Sequence, residues 1–290
     1  MICNLCPRMC GAERTEYSGS GFCGVGTRPV AARAALHFDE EPPISGKQGS
    51  GAIFFSGCTL RCCYCQNFDL SRGRLGRPVT DLRATMEGLI GQGAANINLV
   101  TGTQFVPAIL EALNDPLPVP VVWNSSGYER VETLRALEGR VQIYLPDLKY
   151  VDEKGAALYS EAPDYPRAAK KALEEMARQA GEPVYDDKGL MKKGMIVRHL
   201  VLPNRAAQSI LALYWIRDHL PPTVLVSLMA QYVPCGDAHL HPEIDRPLLR
   251  REYDRVLDKM AALGLDRGFA QEMSASDTRF IPAFDGTGVQ

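Results

Sequence analysis

Four cysteines fall within eight positions of the stretch GCTLRCCYCQN, at Cys58, Cys62, Cys63 and Cys65. Cys58, Cys62 and Cys65 keep the spacing Cys-x3-Cys-x2-Cys, which lets one short loop offer three thiolates to three irons of a cubane. A closed [4Fe–4S] site takes four cysteines. Three leave one iron open, as catalytic metal sites keep a position open. Spacing alone also admits structural zinc on the same three cysteines, with Cys235 or a histidine as fourth ligand. Cys63 adjoins Cys62, and neighbouring residues rarely turn both sulfurs to one metal. It reads as a small buried packing residue.

A second set opens the chain. Cys3, Cys6, Cys10 and Cys23 follow Cys-x2-Cys-x3-Cys-x12-Cys in a glycine-rich segment. Four thiols can close a tetrahedral site, and a segment with so little core would draw its folding energy from the metal. Zinc, a single iron and an auxiliary iron–sulfur cluster all suit it. Disulfides are the alternative, but nine cysteines behind an N-terminus with no basic and apolar leader point to a reducing compartment. A cytoplasmic protein is the expectation. With a net charge of −2 and no apolar run of about 18 residues, neither nucleic acid nor membrane is an expected partner.

These cysteines need elements to position them. GAIFFSG, NINLVTG, VPVVWNSS, VQIYLPDLKY, GMIVRHLVLP and TVLVSLMAQY read as six buried strands. Between them lie the helical patterns TDLRATMEGLIGQGA (with Thr80 or Asp81 as its cap), FVPAILEAL, RVETLRALE, DYPRAAKKALEEMARQAG and RAAQSILALYWIRDHL, and PLLRREYDRVLDKMAALGL closes the series. Strict alternation implies βαβ units and a parallel sheet. The fold class is α/β, a partial (β/α)6 TIM-like barrel, since six repeats are too few for eight strands. PVYDDKGLMKKG reads as an extra hairpin turning at Asp187-Lys188-Gly189. ARAALHFDEEPPISG reads as short extended segments around Pro42 and Pro43. The expected division is a Cys-rich segment over 1–45, the barrel core over 46–265 and a polar tail over 266–290. Sites in such sheets sit at the C-terminal strand ends, and Cys58 follows the first strand directly.

GCTLRCCYCQN resembles the Cys-x3-Cys-x-aromatic-Cys signature of radical S-adenosylmethionine enzymes. With CNLCPRMCG, HFDEEPPISG, FFSGC, NINLVTGTQ, NSSGYE, YLPDLKY, EEMARQAG, VRHLVLPN and SLMAQYVP, the chain resembles the iron–sulfur branch related to pyruvate formate-lyase activating enzymes. The likeness runs over nearly the whole chain, and so many ordered stretches favour the cluster over zinc at Cys58. It implies the radical-enzyme form of the barrel and a [4Fe–4S] cluster whose open iron binds S-adenosylmethionine. Reductive cleavage would then give a 5′-deoxyadenosyl radical that abstracts hydrogen from substrate. It further implies a reductant such as flavodoxin or ferredoxin. The substrate would be a glycyl-radical enzyme or another protein; modification of a small molecule or side chain is the alternative. A non-enzymatic reading is an electron-transfer or zinc-stabilised binding protein.

The same resemblance assigns the cofactor contacts. Tyr64 matches the aromatic residue near the adenine, and Asn67 a polar position that orients the sulfonium or the loop. Thr101-Gly102-Thr103-Gln104 stands where many relatives carry Gly-Gly-Glu, so Thr103 and Gln104 replace a missing glutamate as acceptors for the ammonium group. Ser126, in a stretch similar to Asp-Thr-Asn-Gly-Phe, would meet the ribose or methionyl part, and Gly127 would permit close backbone approach or φ > 0. Asp147 and Lys149 resemble an Asp-x-Lys pair that binds the carboxylate, sometimes through a monovalent cation; strand alternation puts them on one face, where a direct salt bridge is the plainer use. Arg198 would pair with a carboxylate, while its neighbour His199 suits the core. Gln231 and Tyr232 would line the adenine or substrate side.

Overall fold

The computed structural model describes residues 2–275 and 282–290. Among them the strands are β1 (Val30–His37), β2 (Ser50–Phe55), β3 (Arg77–Pro78), β4 (Ile97–Val100), β5 (Val121–Ser125), β6 (Ile143–Pro146), β7 (Val184–Tyr185), β8 (Met191–Leu200), β9 (Leu225–Met229) and β10 (Phe269–Ala270). The helices are α1 (Pro42–Ser45), α2 (Phe68–Ser71), α3 (Leu82–Gly91), α4 (Val106–Ala112), α5 (Val131–Ala136), α6 (Glu153–Ser160), α7 (Tyr165–Ala180), α8 (Ala206–His219) and α9 (Arg250–Ala262).

The fold is mixed α/β around one central sheet. Strands β2, β4, β5, β6, β8 and β9 lie side by side in chain order and run parallel. Helices cross between them, as parallel neighbours require. Every residue of β2 is buried, consistent with cover on both faces. Asp81 caps α3 by accepting a hydrogen bond from the Ala84 amide at 2.9 Å. In α7, Ala169, Ala172, Leu173, Met176, Ala177 and Ala180 form the buried stripe expected of an amphipathic helix. The expected hairpin is β7 against β8.

Alternate residues of the strands serve two different interiors. Trp123, Tyr144, Val197 and Leu228 join the large core under the helices. On the opposite face Val122, Ile143, Leu145 and Ile196 pack around Ile44, from α1. Two residues further along the same strands stand Asn124 (from Val122), Asp147 (from Leu145) and Arg198 (from Ile196). Ile44 therefore plugs the sheet's inner face beneath a polar layer, and the Glu40–Glu41 pair just before α1 reaches that layer.

This plug is one correction to the sequence reading. The stretch read as short extended segments does carry most of the antiparallel β1, but around Pro42 and Pro43 it forms the helix α1 instead; proline at a first helical turn is favourable because that amide needs no partner. The expected boundary at residue 45 falls at the end of α1, between β1 and α1 on one side and the sheet they pack against on the other. Within the span read as a polar tail, the described residues on either side of 276–281 return to the sheet. Strand β10 extends the sheet beside β9, and the chain end returns to β1, where the Gly286 amide donates to the Ala32 carbonyl and the Ala34 amide to the Thr287 carbonyl.

Ile44→Ala should remove about 2–5 kcal/mol of stability, because a rigid cavity remains beneath the polar layer. Urea unfolding with an unchanged slope checks this; a loss under about 1 kcal/mol would mean the plug does not organise the inner face.

Candidate functional site

The C-terminal ends of the six parallel strands surround a cavity of about 620 Å³. Its cysteine wall begins at Gly57, directly after β2. Gly57 has φ +78°, and a Cβ there would lie 2.7 Å from the Cys23 carbonyl oxygen, so the turn requires glycine. Cys58, Cys62 and Cys65 all line the cavity, while Cys63 is buried outside it. Burial pushes the Cys65 thiol up to about 12, with Cys62 and Cys58 adding to the rise and Lys149 opposing it. Cys58 is raised by burial as well. Burial therefore favours the thiol form of Cys58 and Cys65, and a bound cation would have to displace their protons.

The N-terminal cysteines dock on the same loop. Arg8 donates from Nε to the Thr59 carbonyl at 3.0 Å, from Nη2 to that of Leu60 at 3.3 Å, and to Ser160 and Glu161 at the end of α6. Arg14 is buried, donating to the carbonyls of Gln104 and Val25 and lying 3.7 Å from Cys3 Sγ. Burial pushes Cys6 up to about 12, and the nearby Cys23, Cys3 and Cys10 add to the rise. Among the described residues no three His, Cys, Asp or Glu side chains close on one point as a mononuclear metal would require. Thiolates on separate irons of a cubane need not share such a point. The cavity-lining thiols therefore fit a cluster by donor chemistry, whereas the four N-terminal thiols are neighbours that do not form a closed tetrahedron.

The cavity floor is ionic. Arg198 donates from Nε to Asp147 Oδ1 at 3.0 Å and from Nη2 to Asn124, and its Nη1 lies 3.3 Å from Glu40 Oε2. Asn98 and Asn124 donate to Glu40 Oε1 at 2.9 and 3.1 Å. Lys149 Nζ meets Asp147 Oδ2 at 2.8 Å. With the Arg198 side chain 15% exposed and that of Glu40 8%, this is an interior network rather than a surface pair. Burial opposes ionisation of Asp147, but Arg198 and Lys149 outweigh it and hold the carboxyl low. The same pairing raises Arg198 and Lys149 against their burial.

Most of the predicted contacts come together here. Tyr64, Asn67, Ser126, Asp147, Lys149, Arg198, Gln231 and Tyr232 line the cavity. Tyr64 also packs against the rings of Tyr150, Tyr159 and Tyr232. Gly127 has φ +72°, and a Cβ there would collide with the Asp147 carbonyl. Thr103 and Gln104 are placed elsewhere. Thr103 donates to buried Glu129 at 3.0 Å, and Gln104 donates to the carbonyls of Ser56, Gly57 and Thr101. Their 3₁₀ turn carries both side chains away from the cavity, and Thr101, at φ +60°, lines it instead. His199 is a core residue bonded to the Leu148 carbonyl. Glu40, Glu41, Asn98 and Asn124 received no role from the sequence, although the acid pair before Pro42-Pro43 was the available signal.

No model of a known protein family matches the chain. It is 26% identical over 275 residues to an uncharacterised protein of Methanocaldococcus jannaschii, covering 91% of this chain and 75% of that one. Among solved structures, SuiB of Streptococcus suis bound to precursor peptide SuiA superposes with a TM-score of 0.49 at 13% identity over 74% of this chain. SuiB bound to S-adenosylmethionine gives 0.45 at 14% identity, again over 74% of this chain. The chain spans 46% and 48% of the SuiB chain in these two matches, under half its length. No helix among the described residues is long and apolar enough to cross a membrane.

Arg198→Met should destabilise the fold by roughly 3–5 kcal/mol, since it strands buried carboxylates. Adding Glu40→Gln should restore part of that loss; purely additive losses in urea unfolding would show that the two side chains are not coupled. A second expectation concerns His199, which burial pushes down to about 4. The unfolded chain binds this proton near pH 6.5 and the folded one does not, so stability falls as pH drops from about 6.5 towards 4. His199→Gln should flatten that slope by an amount on the order of 2–3 kcal/mol across the window. An unchanged slope would remove His199 from the account.

Proposed function

We propose that the chain is a radical S-adenosylmethionine enzyme whose cluster is held by Cys58, Cys62 and Cys65. The observation that carries this reading is the placement of those three thiols in one wall of a cavity whose floor is a buried ionic network. When bound, a [4Fe–4S] cluster supplies the electron with which the sulfonium is split to methionine and a 5′-deoxyadenosyl radical. The protein's own part is to bind, orient and exclude water.

In this reading the six parallel strands curve as an open partial barrel. Supporting it, Glu40 reaches β4, β5 and β8 together through Asn98, Asn124 and Arg198. Lys149 and Arg198 are the cations available to the cofactor's carboxylate, each already fixed by Asp147. Asn67 and Ser126 are the neutral groups for the methionyl and ribose parts, and Tyr64 offers a ring edge to the adenine. Thr101 takes over the strand-end position expected of Thr103 and Gln104. A monovalent cation at Asp147 has to compete with Lys149 at 2.8 Å. The N-terminal cysteines are an accessory metal site only if metal draws them closer than they now stand; without it, their segment already braces the cluster loop through Arg8. The reductant is flavodoxin- or ferredoxin-like, and the substrate a protein or small molecule that enters over the strand ends.

Anaerobically reconstituted protein should bind about four irons at this loop beyond any N-terminal metal, and should release 5′-deoxyadenosine with dithionite and S-adenosylmethionine. Cys62→Ala should abolish both while sparing the N-terminal metal. Zinc alone at Cys58–Cys65, or an intact cluster that yields no 5′-deoxyadenosine, would sink the proposal.

A further inference from the structure

Glu41 is half satisfied: the Ser227 hydroxyl bonds its carboxyl, but only one of the two oxygens is used. It lines the cavity, yet its Oε2 is shut off from solvent and has no hydrogen-bond partner among the described residues. Its neighbours are committed: Arg198 to Asp147, Asn124 and Glu40, and Lys149 to Asp147. Burial raises the Glu41 carboxyl, and Arg198 opposes that rise without reversing it. The ionisable groups of the floor do not balance. Glu40, Glu41 and Asp147 face Arg198 and Lys149, three acids against two bases, and Asp39 lines the same cavity. His37, also in the wall, is no compensating cation, because burial pushes it down.

A second orphan lies on the cysteine side. Asn67 Oδ1 is buried, lines the cavity and has no partner among the described residues. Both unspent groups are acceptors. A ligand that completes this cavity therefore brings N–H donors and a positive charge, while Phe54 and Met229 supply apolar wall for its stem.

We propose that the cavity floor at Glu41 is a subsite for a protonated amine. This rests on reading the cavity as the cofactor and substrate site and adds the ligand chemistry to it. Two sources present that group: the amino end of S-adenosylmethionine, and an amine carried by the substrate. Each would give Oε2 the charge-assisted hydrogen bond it lacks.

The test uses the full chain, reconstituted anaerobically, with n-pentylammonium, 1-pentanol and pentanoate as calorimetric probes. Pentylammonium should bind at least about tenfold more tightly than the other two, the scale of one charge-assisted contact. Glu41→Gln should erase that preference while cluster absorbance and unfolding midpoint are retained. A tenfold or greater rise in the Kd of S-adenosylmethionine in Glu41→Gln places the cofactor's amine there. An unchanged Kd, with pentylammonium still binding the S-adenosylmethionine-saturated protein, places the substrate's amine there. Equal binding of the three probes to the wild type overturns the proposal whatever the variant does, and so does a preference that survives Glu41→Gln. Preference without any cluster would refute the radical reading and leave the amine subsite standing.

Discussion

The guanidinium of Arg198 meets β5 through Asn124, the end of β6 through Asp147, the residue that follows it, and the approach to α1 through Glu40, which in turn accepts from Asn98 in β4. Four elements distant in sequence are thereby fixed at one depth in the molecule. An ion network so far inside is a weak source of net stability, because desolvation offsets most of the attraction. Its effect is specificity of arrangement. Any slip of β8 by one residue would exchange Arg198 for His199, turning a core histidine into the cavity and an arginine into the helices.

The layer beneath is apolar, around Ile44, and the layer above carries the thiols. This order follows from strand alternation. Residues two apart share a face, so the inner stripe of β6 runs Ile143, Leu145, Asp147 and that of β8 runs Ile196, Arg198, passing from grease to charge towards the C-terminal ends. Polar side chains collect where the sheet opens and apolar ones where α1 closes it. The cysteine loop is then held from outside by Arg8 and by the packing of Cys23 against Gly57, which ties the N-terminal segment to the wall it backs.

Much of this was legible in the chain. The six core strands, the helices between them, the hairpin and the Asp81 cap follow from periodicity and turn chemistry, which are local. The Asp147–Lys149 pair was readable because a period of two puts both on one face. Thr103 and Gln104 were not, since their destination depends on a 3₁₀ turn and on a distant acceptor, Glu129. The role of Glu40 and Glu41 was also hidden: an acid pair before two prolines looks like an exposed turn until α1 is seen to enter the inner face.

What the sequence determined by itself is the chemistry available: three thiols at cluster spacing, a second four-cysteine set, and a βαβ order that sends strand ends to one side. These are properties of neighbours along the chain, governed by spacing and residue type. What only the tertiary structure decided is which groups share a space and which remain unsatisfied there. Glu40 and Arg198 are separated by 158 residues, yet stand 3.3 Å apart. Burial and charge balance belong to the assembled interior, and no stretch of sequence carries them alone.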